Sequence, residues 1–196
     1  MNPGEKIDYD KELETLFERR RINKWDRKEI REKIKWMEDY DISTKEHLIL
    51  TGLRGEKYAI EHDLEMNALL YPCLLHDIGK LFIRKEILNK PYITIDEMEE
   101  MKLHSALGYL VLKDRFRFSA GVIYINHWYN EEEDKKYPKR VSDEILLEAL
   151  GYKNPKTIEK IKEYAMYLHI VDSKEAEKRK YNYPLITTLT KVEREM

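Results

Sequence analysis

An apolar run that ends in an adjacent histidine and aspartate is the feature that most limits how this chain can fold. The run covers residues 68–75 and leads directly into His76 and Asp77, and Gly79 and Lys80 follow closely. Such a run predicts the buried end of a helix. A histidine and a carboxylate placed there must be hydrogen-bonded or bind a metal, because unpaired polar groups are costly in a protein interior. A buried pair that only holds a helix terminus would use the same residues.

Four of the six histidines lie in separate segments with apolar flanks. They are His47, His76, His104 and His127, spaced by 29, 28 and 23 residues, and Asp172 follows 45 residues later. Spacings of this size suit one ligand per helix in a bundle. Neutral imidazoles and carboxylates are usual ligands of divalent transition metals, and one carboxylate can bridge two ions. The pattern therefore predicts a metal site assembled from several helices.

A second His-Asp pair, His62-Asp63, is interpreted as a surface feature. Its neighbours Glu61, Glu65 and Asn67 are polar, and it lies fourteen residues before His76-Asp77. We therefore expect no role for it in metal binding.

The order His, His-Asp, His, His, Asp resembles that of the HD superfamily of metal-dependent phosphohydrolases, and most closely its HD-GYP branch. Residues 75–112 carry the resemblance: LHDIGKLFIRKEILNKPYITIDEMEEMKLHSALGYLVL. The branch reads roughly L-H-D-I-G-K, then I-L-N-K-P, then a threonine with acidic residues, then M-K-x-H-x-x-x-G-x-x-x-L. A weaker resemblance to the wider superfamily extends from His47 to about Pro184.

Two positions depart from the HD-GYP pattern. The branch has a loop of the form H-H-E-x-x-D-G-x-G-Y-P, but here Asn126 precedes His127, both glycines are missing, and four acidic residues follow at positions 131–134. The glutamate found one helical turn before the first histidine in three-metal members is Ser43 here. Both changes remove candidate ligands for a third ion, so we expect two metals.

The resemblance implies an all-α HD-domain helical bundle with a dinuclear site. The implied metal ligands are His47, His76, Asp77, His104, His127 and Asp172, with Asp77 as the bridging carboxylate. The implied catalytic residues are Asp77 and Lys80. Lys80 is implied to contact substrate phosphate, and the basic residues Lys174, Lys178 and Arg179 are candidates to bind phosphate oxygens, with a solvated helix end as the alternative. A mixed set of imidazoles and carboxylates favours two iron or manganese ions over magnesium, which prefers oxygen.

For the substrate, the resemblance implies a cyclic dinucleotide such as cyclic di-GMP. Hydrolysis of another nucleotide or of a (p)ppGpp-type alarmone is a second possibility, because other HD branches carry it out. A non-catalytic domain that binds metal and nucleotide and signals through its N-terminal helices belongs to a different class, and a redox role for the dinuclear site is known in the wider superfamily.

The composition of the chain limits the expected partners and the expected cellular location. Lys+Arg 36 against Asp+Glu 38 gives little net charge, so we expect no nucleic-acid polymer as partner. The single Cys73 permits no internal disulfide and suits a reducing cytosol. With no signal-like start and no apolar stretch of membrane-spanning length, a cytoplasmic location away from membranes is expected.

The chain is expected to be helical almost throughout. Residues 1–41 are interpreted as an N-terminal helical extension, with two helices broken near Asn23, and residues 42–196 as the HD domain. The extension is expected to pack on the domain as a cap, with a docking or homodimer arm as the alternative. Glycines at 52 and 55 predict a break before a helix from about Glu56 to His76. Thr44, Thr94 or Asp96, Ser119, Ser142 and Asn154 are the expected helix starts.

Overall fold

The computed structural model of the protein describes residues 7–178 and 185–186, and the prediction of an all-α bundle is confirmed. The helices are α1 (Tyr9–Arg19), α2 (Lys24–Tyr40), α3 (Ile42–Glu61), α4 (Met66–Leu75), α5 (Lys85–Leu88), α6 (Ile95–Lys102), α7 (His104–Leu112), α8 (Arg117–Ile125), α9 (Asp143–Leu150) and α10 (Pro155–Lys178). Short 3₁₀ turns lie at Ile78–Phe82, Asn126–Tyr129 and Glu133–Lys135. Two short parallel strands, β1 (Tyr92–Ile93) and β2 (Leu185–Ile186), pair Tyr92 with Leu185.

The N-terminal helices α1 and α2 pack on the rest of the bundle. Phe17 and Met37 are fully buried in the same hydrophobic core as α3 and α4. The predicted break at Asn23 is confirmed, since its side chain caps α2. Trp25, in the first turn of α2, is 70% exposed. The domain boundary at residues 41 and 42 stays a prediction.

The start of α3 differs from the sequence prediction. Asp41, rather than Thr44, caps the helix, and its carboxylate accepts hydrogen bonds from the Thr44 amide at 3.1 Å and from Ser43 Oγ at 3.0 Å. His47 therefore lies in the second turn of a 20-residue helix rather than in a short one.

The predicted break at Gly52 and Gly55 is wrong, because α3 continues through both residues. A Cβ at Gly52 would lie 2.3 Å from Cδ2 of Leu74, and one at Gly55 would lie 2.5 Å from Sγ of Cys73. These glycines let α4 approach α3 closely, so tertiary packing offsets their poor helix propensity.

The helix predicted from Glu56 to His76 is in fact two helices. The chain turns between α3 and α4, where Asp63 has a φ of 52°. His62 and Asp63 are exposed in this turn, as the sequence predicts. The end of α4 is buried, also as predicted, and it delivers His76 and Asp77 into the bundle interior.

The helix expected to start at Thr94 or Asp96 ends before His104. Thr94 begins α6 with a capping box, because Thr94 and Glu97 each accept a hydrogen bond from the backbone amide of the other. The helix ends at Lys102, and α7 begins at His104. His104 therefore lies in the first turn of its own helix.

The last helices follow the sequence prediction more closely. Ser142 caps α9, Gly151 ends it with a φ of 67°, and Asn154 precedes Pro155 at the start of α10. His127, however, lies in the 3₁₀ turn after α8 rather than inside a helix, and α8 begins at Arg117 before the predicted cap.

Within residues 7–178, no helix combines the length and the apolar character needed to cross a membrane.

Candidate metal centre

Three predicted site residues from three separate segments converge in the interior. Nε2 of His47 lies 3.1 Å from Nε2 of His76 and 2.9 Å from Oδ1 of Asp172, and His76 Nε2 lies 3.4 Å from the same oxygen. Both imidazoles are buried. These three side chains, from α3, from the residue after α4 and from α10, form what we call the first subsite.

Two more predicted histidines meet beside them. Nε2 of His104 lies 3.2 Å from Nε2 of His127 and 3.4 Å from Oδ1 of Asp77. His104 comes from α7 and His127 from the turn after α8. We call the group formed by His104, His127 and Asp77 the second subsite.

The carboxylate of Asp77 lies between the two groups. Its Oδ1 faces His104, while its Oδ2 lies 3.5 Å from His76 Nε2 and 3.8 Å from His47 Nε2. The Lys80 ammonium also donates a hydrogen bond to Oδ2 at 2.6 Å. Asp77 is 3% exposed, so it is a buried carboxylate with cationic or imidazole groups on both sides.

A close contact between glycines positions the second subsite. A Cβ at Gly79 would lie 1.9 Å from the carbonyl oxygen of His104 and 2.5 Å from the amide nitrogen of Gly108. Only glycine fits there, so the turn that follows Asp77 packs directly on the backbone of α7. A Cβ at Gly108 would meet nothing closer than 3.4 Å, so the steric requirement for glycine lies at Gly79.

Comparison with known proteins adds one decisive match, since the sequence model of the HD domain matches residues 44–177. This chain belongs to the HD domain family. Membership of this family supports a metal-dependent hydrolase activity in general, and HD domains typically bind divalent metals. No curated protein and no solved structure matches the chain.

The first subsite of this HD domain has the dimensions of a metal site. Donor atoms about 2.1 Å from one ion are about 3.0 to 3.4 Å apart in octahedral or tetrahedral geometry. The observed separations within the first subsite are 2.9, 3.1 and 3.4 Å. Within the described part of the chain, Oδ1 of Asp172 is buried without a well-aligned hydrogen bond, although two imidazole nitrogens are close. An ion shared by these atoms would satisfy that oxygen.

The charge states suit ligation as well. Burial would raise the pKa of Asp77, but Lys80 and the surrounding imidazoles outweigh it and hold that pKa far below its usual range. Burial lowers the pKa of His104 to about 4 and that of His127 well below its ordinary value. The carboxylate is therefore ionised and these imidazoles are neutral at pH 7, which are the forms that bind a cation.

Three residues that contact the histidines were missed from the sequence. Thr51 Oγ1 lies 3.4 Å from His47 Nδ1, and Asn130 Nδ2 lies 3.4 Å from His127 Nδ1. The ring of Tyr137 stacks on His127, with centroids 4.2 Å apart and an interplanar angle of 20°. Thr51 lies four residues after its histidine on α3, so helix spacing could have indicated it, whereas the contact of Tyr137 depends on the fold of the loop.

The basic candidates after Asp172 are not brought to the cluster by any described contact. The Lys174 ammonium lies 5.8 Å from the ring centroid of Tyr58 on α3. Tyr58 is eleven residues after His47, about 16 Å along the helix axis. The side chain of Lys178 and all of Arg179 lie outside the described residues. Of the proposed phosphate-binding residues, Lys80 is the one that the described structure places at the cluster.

Glu131, Glu132 and Glu133 in the acidic loop after His127 are exposed, and two of them pair with lysines of the same loop. Lys135 pairs with Glu132 at 2.5 Å, and Lys136 pairs with Glu133. Trp128 Nε1 donates a hydrogen bond to the Pro138 carbonyl at 2.7 Å, which closes the loop. The paired carboxylates of this loop therefore point to solvent rather than into the His–Asp cluster.

Proposed function

We propose that this HD domain is a phosphodiesterase that uses two divalent transition-metal ions to hydrolyse a cyclic dinucleotide or a related nucleotide. The observation that carries the proposal is the position of Asp77, whose two carboxylate oxygens face different groups of histidines. A carboxylate placed in this way is suited to bridge two ions. Single-ion sites do not need such an arrangement.

The residues divide into roles by their contacts. The first subsite would hold one ion and the second subsite the other, with Asp77 common to both. Bound together, two such ions would supply water activation and stabilisation of charge on the phosphoryl oxygens. Lys80 orients the carboxylate of Asp77 through its hydrogen bond, and its remaining protons can be donated to a substrate phosphate.

The ligand chemistry favours iron or manganese. Four imidazoles with two carboxylates form a nitrogen-rich set, and magnesium prefers oxygen ligands. The choice between these two metals is open to direct metal analysis.

The likeness to the HD-GYP branch supports a phosphodiester as substrate. The matching residues include the segment around His104, which contributes to the second subsite, and Lys80, which donates a hydrogen bond to Asp77. The exposure of Glu131, Glu132 and Glu133 supports the same substrate class, because among the described side chains the carboxylate paired with Lys80 is that of Asp77. A homodimer through α1 and α2 remains a further proposal, for which the 70% exposure of Trp25 is the support.

The test is hydrolysis by the purified chain with iron and with manganese. Cyclic di-GMP, linear dinucleotides, mononucleotides and (p)ppGpp should be compared, with Asp77→Asn as the inactive variant and Asp63→Asn as its matched surface control. Turnover of cyclic or linear phosphodiesters that Asp77→Asn abolishes supports the proposal. Activity confined to monoesters or pyrophosphate bonds would assign another HD branch, and no hydrolysis with either metal would favour a binding domain.

A further inference from the structure

The four histidines of the cluster differ in what their second ring nitrogen contacts. An imidazole that binds a metal through Nε2 must carry its proton on Nδ1, and a hydrogen-bond acceptor at Nδ1 fixes that tautomer. His76 Nδ1 lies 3.1 Å from the Cys73 carbonyl oxygen, and His104 Nδ1 lies 2.7 Å from the Met101 carbonyl oxygen. Each subsite thus contains one histidine that is already in the tautomer required for ligation.

His47 has a partner that can adapt. Its Nδ1 lies 3.4 Å from the hydroxyl oxygen of Thr51, which is fully buried. A hydroxyl has lone pairs and a proton that rotates, so it accepts a hydrogen bond from Nδ1–H without moving its oxygen. The first subsite therefore meets no barrier from this contact.

His127 has a partner that cannot adapt. Its Nδ1 lies 3.4 Å from Nδ2 of Asn130, and an amide nitrogen donates hydrogen bonds but does not accept them. The same Nδ2 donates to the Lys135 carbonyl at 2.7 Å and contacts the His127 carbonyl at 3.3 Å. Rotating the amide would place its oxygen against these two carbonyl oxygens. The orientation of Asn130 is therefore fixed with its N–H groups toward His127.

The His127 ring cannot easily turn away from this contact. Tyr137 stacks on one face of the ring, and the ring of His104 meets it edge-on with centroids 5.1 Å apart. A proton on Nδ1 would then face the N–H groups of Asn130. Ligation through Nε2 of His127 requires that proton, so this contact opposes ligation.

We propose that Asn130 makes the second subsite the weaker of the two, so that the HD domain binds its ions in sequence and loses the second one first. The inference rests on the two-metal function proposed above. It implies that hydrolysis requires a higher metal concentration than occupation of the first subsite, which would make activity respond to the supply of free metal.

The test is a titration of the full chain with manganese, in which calorimetry measures each binding step. It compares the wild type with Asn130→Asp and Asn130→Ala. The aspartate can accept from Nδ1–H, and the alanine lets water do so. Both should tighten the second binding step, by about 10-fold or more for the aspartate, the scale on which groups supporting metal ligands act. The first step should not change.

Asn89→Asp is the matched control, because Asn89 is exposed and its Nδ2 also donates to a backbone carbonyl, that of Lys85. It should change neither step. Melting temperatures of all variants report whether the loop after His127 has been disturbed.

Equal affinities for both ions in the wild type, or a second step that neither variant at Asn130 tightens, would overturn the inference while leaving the two-metal function intact. Absence of any bound metal in the wild type would instead contradict the proposed function itself. The two failures are therefore distinguishable in one titration.

Discussion

Oδ1 of Asp77 lies 3.4 Å from Nε2 of His104, whereas Lys80 contacts Oδ2, the other oxygen of the same carboxylate. The other oxygen receives the Lys80 ammonium and faces the first subsite. One buried side chain thereby joins two sets of imidazoles that come from four different segments of the chain. Most of the expected behaviour of this HD domain follows from that position.

Asp77→Asn should remove metal from both subsites at once. The amide is nearly the same size but carries no charge, so each ion would lose the carboxylate common to both. We expect metal affinity to fall by about 100-fold or more, at or beyond the upper end of effects seen for supporting groups. Elemental analysis after dialysis measures this. Asp63→Asn, the same change in the exposed His-Asp pair, should retain the wild-type metal content. Loss of metal from Asp63→Asn would mean that the metal site has been assigned to the wrong His-Asp pair.

Thr51→Val should weaken the first subsite selectively. Valine has nearly the same shape but cannot accept a hydrogen bond from His47 Nδ1–H, so the ligating tautomer loses its partner. Affinity of the tighter binding step should fall about 10- to 100-fold. Thr15→Val, which removes a hydroxyl at an exposed position of α1, provides the control. Titration with manganese measures both, and an unchanged first step in Thr51→Val would show that this contact is irrelevant to ligation.

Gly79→Ala should separate the turn after Asp77 from α7. The added Cβ would lie 1.9 Å from the His104 carbonyl oxygen, so backbone must move. We expect a loss of several kcal/mol in unfolding free energy, in the range that marks a severe core change. Gly108→Ala should be milder, because its Cβ would meet nothing closer than 3.4 Å. Chemical unfolding of both variants tests the order, which would be contradicted if Gly108→Ala were the more damaging.

Stability should fall on mild acidification through His104. Burial lowers its folded-state pKa from 6.5 to about 4, so between these pH values the unfolded chain binds more protons than the folded one. The unfolding free energy then decreases as pH falls, by about 3 kcal/mol across that window from this group. Urea unfolding at several pH values, with a chelator present, measures it. His104→Gln should show a shallower dependence over the same range, and an equal slope would exclude His104 as a cause.

The residues of the His–Asp cluster were accessible from the sequence because they depend on residue type and on long spacings. His47, His76, His104, His127 and Asp172 stand in separate segments, and the fold brings their side chains within a few ångströms of one another or of Asp77. A residue pattern of this length constrains the three-dimensional arrangement more strongly than local propensity does.

The helix boundaries were less accessible, for physical reasons. Gly52 and Gly55 read as breakers, yet they remain helical because α4 packs where side chains would otherwise lie. The division at Leu103 was not predicted, because the apolar pattern continues across it. Local sequence describes the propensity of the chain, while these features depend on neighbours distant in sequence.

The partners of the imidazoles were the least accessible part of the site. Tyr137 reaches His127 only because the acidic loop folds back through Trp128 and Pro138. The identity of the group at each Nδ1 is likewise a property of the folded loops. Thr51 could be indicated by its helix spacing from His47, whereas the loop residues Asn130 and Tyr137 carry no such signal.

The most direct test of the account is anomalous X-ray diffraction from crystals of the wild-type chain grown with manganese in excess. The account predicts two peaks on either side of the Asp77 carboxylate, one among His47, His76 and Asp172 and the other beside His104 and His127. A single peak confined to the first subsite at saturating manganese, or none, would contradict the two-metal centre.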